Sequence, residues 1–199
     1  PACAVLPSPP GVSPLGFAVY VPSLSSRPRD PPADTLLSAL VFGDGAAAAV
    51  LRGDAVSGRI GIGRTAERVV AASTDALGFE RADDGFRVVV SRQLPRLLEG
   101  NLPQLVSSFI GDPRELDAVA VHPGGQAIVD AVVRCLELDE RQVAATRTVL
   151  SHYGNTSSAA ILFVLDELSR HLPAAAGRGL AAAFGPGLTV ELLELLWNA

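Results

Sequence analysis

Cysteine occurs twice in the 199-residue chain, at Cys3 and Cys135, and methionine does not occur at all. Two cysteines cannot build a disulfide framework, and their placement matches no zinc-binding spacing. A reducing, cytoplasmic setting is therefore expected. Basic residues are scattered, as at Arg64, Arg68, Arg87, Arg92 and Arg96, and form no block. With a formal net charge of −5, the chain offers no electrostatic footprint for nucleic acid or an anionic membrane. No stretch reaches the ~18 uninterrupted apolar residues of a membrane span. The opening PACAVLPSPPGVSPLGFAVYV is apolar, but prolines interrupt it and it lacks the basic segment of a signal peptide. The missing initiator methionine reads as the mark of a piece of something longer.

What the chain does have is 48% hydrophobic and 19% charged residues, the balance of a globular fold. Alanine, valine, leucine and glycine dominate, which suits closely layered α/β packing. Residues 1–34 carry much of the proline, with GFAVYV as a short strand between the proline clusters. A Gly-Asp-Gly turn at 43–45 leads into a run of small residues, 46–51, that suits a buried strand with other backbone packed closely on it. From residue 58 the pattern becomes regular. RVVAASTDA reads as a strand, and leucines at 94, 97, 98, 102 and 105 give a helical stripe with Ser91 as its N-cap. LDAVAV is a strand, followed by helices beginning at the double glycine 124–125, in DERQVAATRTVL, and after Asn155 and Thr156. Two strands meet across Gly185-Pro186-Gly187, a turn that joins antiparallel neighbours. The order predicts a mixed sheet with helices on its faces.

His122 ends a strand and precedes a Pro-Gly-Gly turn and a helix, which places it in the crevice beyond a strand's carboxyl end, where α/β proteins bind ligands. Gly124 and Gly125 would let a ligand's arm approach the main chain closely. Imidazole there can act as a general base or donate to a developing oxyanion. A packed histidine satisfied by a backbone carbonyl is the plain alternative. Asn155, in Tyr-Gly-Asn-Thr-Ser-Ser-Ala, suits a helix N-cap, or a neutral amide donor aimed at a thioester carbonyl.

Four blocks, in order, carry a resemblance: Phe-Gly-Asp-Gly-Ala-Ala-Ala-Ala from Phe42, His-Pro-Gly-Gly from His122, Tyr-Gly-Asn-Thr-Ser-Ser-Ala from Tyr153, and Phe-Gly-Pro-Gly from Phe184. Together they resemble the C-terminal half of the type III polyketide synthases, the chalcone and stilbene synthase family. The resemblance covers about residues 30–199. It implies an α/β thiolase-like fold of two similar halves: here a C-terminal half at 58–199, with a mixed five-stranded sheet, and a remnant of the N-terminal half at 1–57. It also implies a Cys-His-Asn triad, of which His122 and Asn155 match two members. They would hold a thioester carbonyl oxygen while malonyl-CoA loses CO2 and the enolate attacks an acyl-enzyme formed from a CoA-linked starter. Phe42 matches a residue between the CoA tunnel and the cavity, Gly124, Gly125 and Ala127 lie along the pantetheine arm, and Gly185 and Pro186 shape the cavity wall. Neither metal nor prosthetic group is implied, since the CoA thioesters are substrates, and the intact enzyme would be a homodimer.

The sequence departs from the family in three places. A second gatekeeper phenylalanine aligns near Val88 or Phe86. His152 stands where an acidic residue is common. The nucleophilic cysteine is missing: Cys3 lacks a glycine-rich elbow, and Cys135 falls in an apolar helix. The expectation is a chain without condensing activity by itself. The rivals are a ketoacyl-ACP synthase-like condensing enzyme and a non-catalytic remnant that acts only as a partner.

Overall fold

The structure is a computed structural model that describes residues 15–25, 42–52, 59–71, 73–82, 85–172 and 175–197. Cys3 and the second proline-rich stretch lie outside the described residues. Strand β6 (Ala118–Val121) has all four residues buried. A strand that is apolar at every position has to be covered on both faces, and β6 is. Val119 and Val121 face helices α1 (Leu94–Ile110) and α2 (Gln126–Cys135), whose Leu98, Leu102, Val106 and Val132 complete one core. Ala118 and Ala120 face α3 (Ala144–Tyr153) and α4 (Ala160–Arg170), meeting Val149, Val164 and Leu168.

Strand β7 (Gly177–Gly185) runs parallel to β6, and β8 (Thr189–Trp197) folds back antiparallel on β7. Strand β3 (Gly61–Val69) pairs antiparallel with the far side of β8, giving the order β3-β8-β7-β6. In β8, Val190 and Leu192 join the first core, while Leu195 and Trp197 join the second. The Trp197 indole packs on β7, where a β-carbon on Gly177 would clash with it, so this contact requires glycine.

The described sheet has four strands, not the five expected. The outer edge of β6 is met by the start of α3 instead of a fifth strand, with the Val119 amide donating to the Gln142 carbonyl at 2.7 Å. The strand expected at RVVAASTDA lies several residues earlier, at β3. That edge strand is almost wholly exposed, so no apolar alternation marks it, whereas Val70, Ser73 and Ala76 are buried in the turn that follows. A hairpin of β4 (Leu77–Ala82) and β5 (Gly85–Val90) was not anticipated, and Phe86 and Val88 fall on β5. Ser91 stands two residues before the N-cap, Gln93, and accepts from its amide at 3.1 Å. The helix expected from Asn155 begins at Ala160, after a 3-10 turn at Ser157–Ala159.

Near the N-terminus, β1 (Leu15–Tyr20) and β2 (Gly45–Val50) form an antiparallel ribbon of their own. One face rests on the 3-10 turn at 157–159 and on α4. The other leaves Leu15, Phe17, Val19 and Val50 between 62% and 74% exposed, so the ribbon closes no core of its own.

One ion cluster ties three strands. Glu194 of β8 accepts from Arg178 of β7 at 2.8 Å and from the Arg64 side chain of β3 at 3.1 Å, and Arg64 also caps the Phe109 ring at 5.3 Å. These donors lower the Glu194 pKa from 4.5 to about 2. A carboxylate depressed in the folded state adds stability above its unfolded pKa and loses it as pH falls through the folded value. Wild type should therefore exceed Glu194→Gln in urea midpoint at pH 6, and the gap should close between pH 4.5 and 2. A constant gap would show that the charge is not the source.

Candidate active site

The parallel strands β6 and β7 end side by side, and the chain leaves β6 at His122. The His122 amide donates to the Ala182 carbonyl at 2.8 Å, so its backbone still belongs to the sheet. The Gly124 amide then donates back to the His122 carbonyl at 2.8 Å, closing a three-residue turn around Pro123. Gly125 follows with φ 139° as the N-cap of α2, and its carbonyl accepts from both Ile128 and Val129 at 3.1 Å. A side chain there would be strained, which gives the second glycine its reason.

The turn lays the imidazole against Gly124: a β-carbon at 124 would stand 3.5 Å from His122 Cδ2. The residue is half-buried, and burial of the ring lowers its pKa from 6.5 to about 4. At neutral pH it is an uncharged donor and acceptor.

Asn155 reaches the same glycine. It is 5% exposed, at the end of the loop after α3, and its Nδ2 points at the Gly124 carbonyl from 3.4 Å. Its Oδ1 accepts from the Ser157 amide at 2.8 Å. That bond fixes which end of the amide is which, leaving the NH2 group as a donor toward the His122 turn. Ser157 holds φ 54°, an uncommon conformation for a residue with a side chain, and its amide is what orients Asn155. Sequence reasoning did not single out Ser157, although it lies inside a motif that was noticed.

The ribbon closes this side. The Gly43 amide donates to the Asn155 carbonyl at 3.0 Å, and Phe42 bridges Asn155, its ring edge-on to Tyr20 at 5.7 Å. A β-carbon on Gly43 would lie 2.8 Å from the Tyr153 carbonyl, and one on Gly45 only 2.6 Å from Thr156 Cβ. The Gly-Asp-Gly turn thus exists for backbone contact with the loop that carries Asn155.

His122, Gly124, Asn155 and Phe42 are brought together, with Gly125 directly behind them. Ala127 is exposed on the first turn of α2. Gly185 and Pro186 lie at the β7–β8 turn, at the same end of the sheet as His122, and no hydrogen bond joins them to the histidine or to Asn155 among the described residues. That turn is clasped from the 70–77 loop: Ser73 Oγ donates to the Val70 carbonyl at 2.7 Å and lies 3.2 Å from the Gly187 carbonyl, and the Gly187 amide donates to the Leu77 carbonyl at 2.8 Å. Cys135 stands at the far end of α2, about 13 Å along the helix axis from its start. Burial first, and then the Glu99 charge, push its thiol up to about 11, so it is no ready nucleophile. Among the described residues no cluster of three histidine, cysteine or carboxylate side chains could hold a metal, and no helix is long and apolar enough to cross a membrane.

A three-layer α/β fold with histidine and asparagine converging at a strand end defines the thiolase-like class. Residues 62–196 match the family described as chalcone and stilbene synthases, C-terminal domain, and the chain belongs to that family of type III polyketide synthases. It is 34% identical over 188 residues to a putative chalcone synthase of Bacillus subtilis, covering 88% of this chain and 52% of the relative. Against the 1,3,6,8-tetrahydroxynaphthalene synthase of Streptomyces coelicolor it is 33% identical over 180 residues, covering 88% and 48%. The crystal structure of that synthase superposes with a TM-score of 0.84 at 31% identity, over 94% of this chain and 55% of that one. PKS-I of the brown alga Ectocarpus siliculosus gives 0.84 at 26% identity, over 94% and 53%. The chain spans about half the length of the curated relatives it matches.

Replacing Gly45 with alanine should push Thr156 and Asn155 away from the ribbon. The expected outcome is a lower melting temperature together with a shifted Asn155 side-chain amide resonance in 15N NMR. An unshifted resonance would separate the ribbon from the site.

Proposed function

We propose that this chain supplies the histidine and asparagine of a type III polyketide synthase, which condenses malonyl-CoA with a CoA-linked starter. The observation that supports this most is that the His122 ring and the Asn155 amide both lie against Gly124. A thioester carbonyl placed there would accept from a ring N–H and from Nδ2–H. When the malonyl carboxylate leaves as CO2, the electron pair of the broken C–C bond becomes an enolate, whose oxygen both donors stabilise without adding net charge. The enolate carbon then attacks the acyl-thioester carbonyl on a cysteine, forming a C–C bond and expelling thiolate.

The uncharged His122 suits the donor role, and a thiolate set against the ring would raise its pKa and gain an ion-pair partner. The high pKa of Cys135, and its place at the far end of α2, speak against that residue as the thiolate. Phe42 would stand between the CoA tunnel and the cavity, Gly124, Gly125 and Ala127 would flank the pantetheine arm, and Gly185 and Pro186 would form part of the wall. Residues 1–57 would belong with the N-terminal half of the synthase, against which the exposed ribbon face would pack. The whole enzyme would work as a cytoplasmic homodimer.

The test is CO2 release from labelled malonyl-CoA. The purified chain should release none above background. Joined to the complementary N-terminal half of the Streptomyces coelicolor relative, it should do so, and an acyl-CoA should then be extended. Polyketide formation by the purified chain by itself would contradict the reading.

A further inference from the structure

We infer that Thr146 is a positioning residue for His122, holding the last residue of β6 by both of its backbone groups. Strand β6 lies at the edge of the sheet. Residues 118 and 120 face β7 with their backbone groups, and the His122 amide donates to Ala182. Val119 and Val121 turn theirs outward, where no strand lies among the described residues. Val119 is met by the Gln142 carbonyl. At Val121, the Thr146 hydroxyl of α3 accepts from the amide at 3.0 Å and donates to the carbonyl at 3.2 Å.

A single hydroxyl here does the work of a neighbouring peptide group, accepting and donating at one residue. Thr146 is fully buried, so water does not serve as an alternative partner. Threonine within a helix ordinarily returns its hydroxyl to a carbonyl of its own preceding turn. This one reaches a strand 25 residues away in sequence. Valine fills the same volume with comparable helix propensity, so neither packing nor helix formation calls for the hydroxyl, and the strand end does.

The consequence falls on His122, because the backbone that aims its ring is pinned on one side by Ala182 and one residue earlier by Thr146. Without the hydroxyl, the buried amide and carbonyl of Val121 must move toward water to find partners. The strand end then opens, and the imidazole gains hydration. The inference rests on the reading of His122 as a donor in the proposed synthase, but its test needs no turnover.

The chain holds only His122, His152 and His171, so their imidazole resonances can be assigned with His152→Gln and His171→Gln and titrated by NMR. In the parent chain His122 should titrate near 4, because burial alone lowers it. Thr146→Val and Thr146→Ala should raise that value by at least one unit, and Thr146→Ser should restore it. Val149→Ala, one turn along α3 and facing the other core, is the control: it should lower the melting temperature and leave His122 unmoved. If Thr146→Val does not fold, Thr146→Ala decides. A His122 titration unchanged in the alanine or valine variant, or displaced as far by serine as by valine, would overturn the inference.

Discussion

The pairing of β6 with β7 is the constraint from which the site follows. The two strands are parallel, so their carboxyl ends lie side by side, and whatever follows β6 is delivered to one end of the sheet. Burial of every residue of β6 fixes its register, since a slip by one position would send its valines toward the alanine-sized space under α3 and α4. With that register set, His122 is the first residue beyond the strand that can turn its side chain out of the layered core. The bonds to Ala182 and within the Pro123 turn leave its backbone little freedom.

Asn155 arrives by a different route, and its placement depends on close approach rather than on apolar burial. Two glycines let the chain lie close against the Tyr153 carbonyl and the Thr156 side chain, and one amide, at Ser157, settles the orientation of the Asn155 side chain. The two donors thus come from different supersecondary units and meet at a residue with no side chain. Under the proposed function, an uncharged ring and an oriented amide would let negative charge develop on a ligand oxygen while the protein adds no formal charge. Preorganisation of this kind is what stabilises oxyanions in sites closed to water.

Much of this was legible in the sequence, for identifiable reasons. His122 could be placed at a strand end because Ala118–Val121 is continuously apolar and the Pro-Gly-Gly that follows cannot continue a strand. Asn155 could be placed at a loop-to-helix junction because glycine precedes it and small polar residues follow. The small-residue run at 46–51 suggested a buried strand, yet β2 alternates half-buried and exposed residues, and the close approaches are made by Gly43 and Gly45 just before it. What was not legible depended on tertiary contacts. Strand β3 has exposed side chains and takes its place from pairing with β8, so the more apolar stretch after it looked like the strand. Those apolar residues are buried because the turn is bonded to residues 187 and 188. The edge of β6 carries no further strand among the described residues and is met instead by Gln142 and a threonine hydroxyl, an arrangement that no periodicity reveals. Ser157 matters through its backbone amide, which its residue type does not disclose.

The central claim is that His122 and Asn155 act on one oxygen atom. A double-mutant cycle measures this most directly: His122→Gln, Asn155→Ala and the pair, in the enzyme completed with an N-terminal half, read as the rate of malonyl-CoA decarboxylation. Two donors sharing one developing charge should give strongly non-additive losses, with the double variant close to the worse single one. Losses that multiply independently would mean that the two residues serve different atoms, and the account of the site would fail.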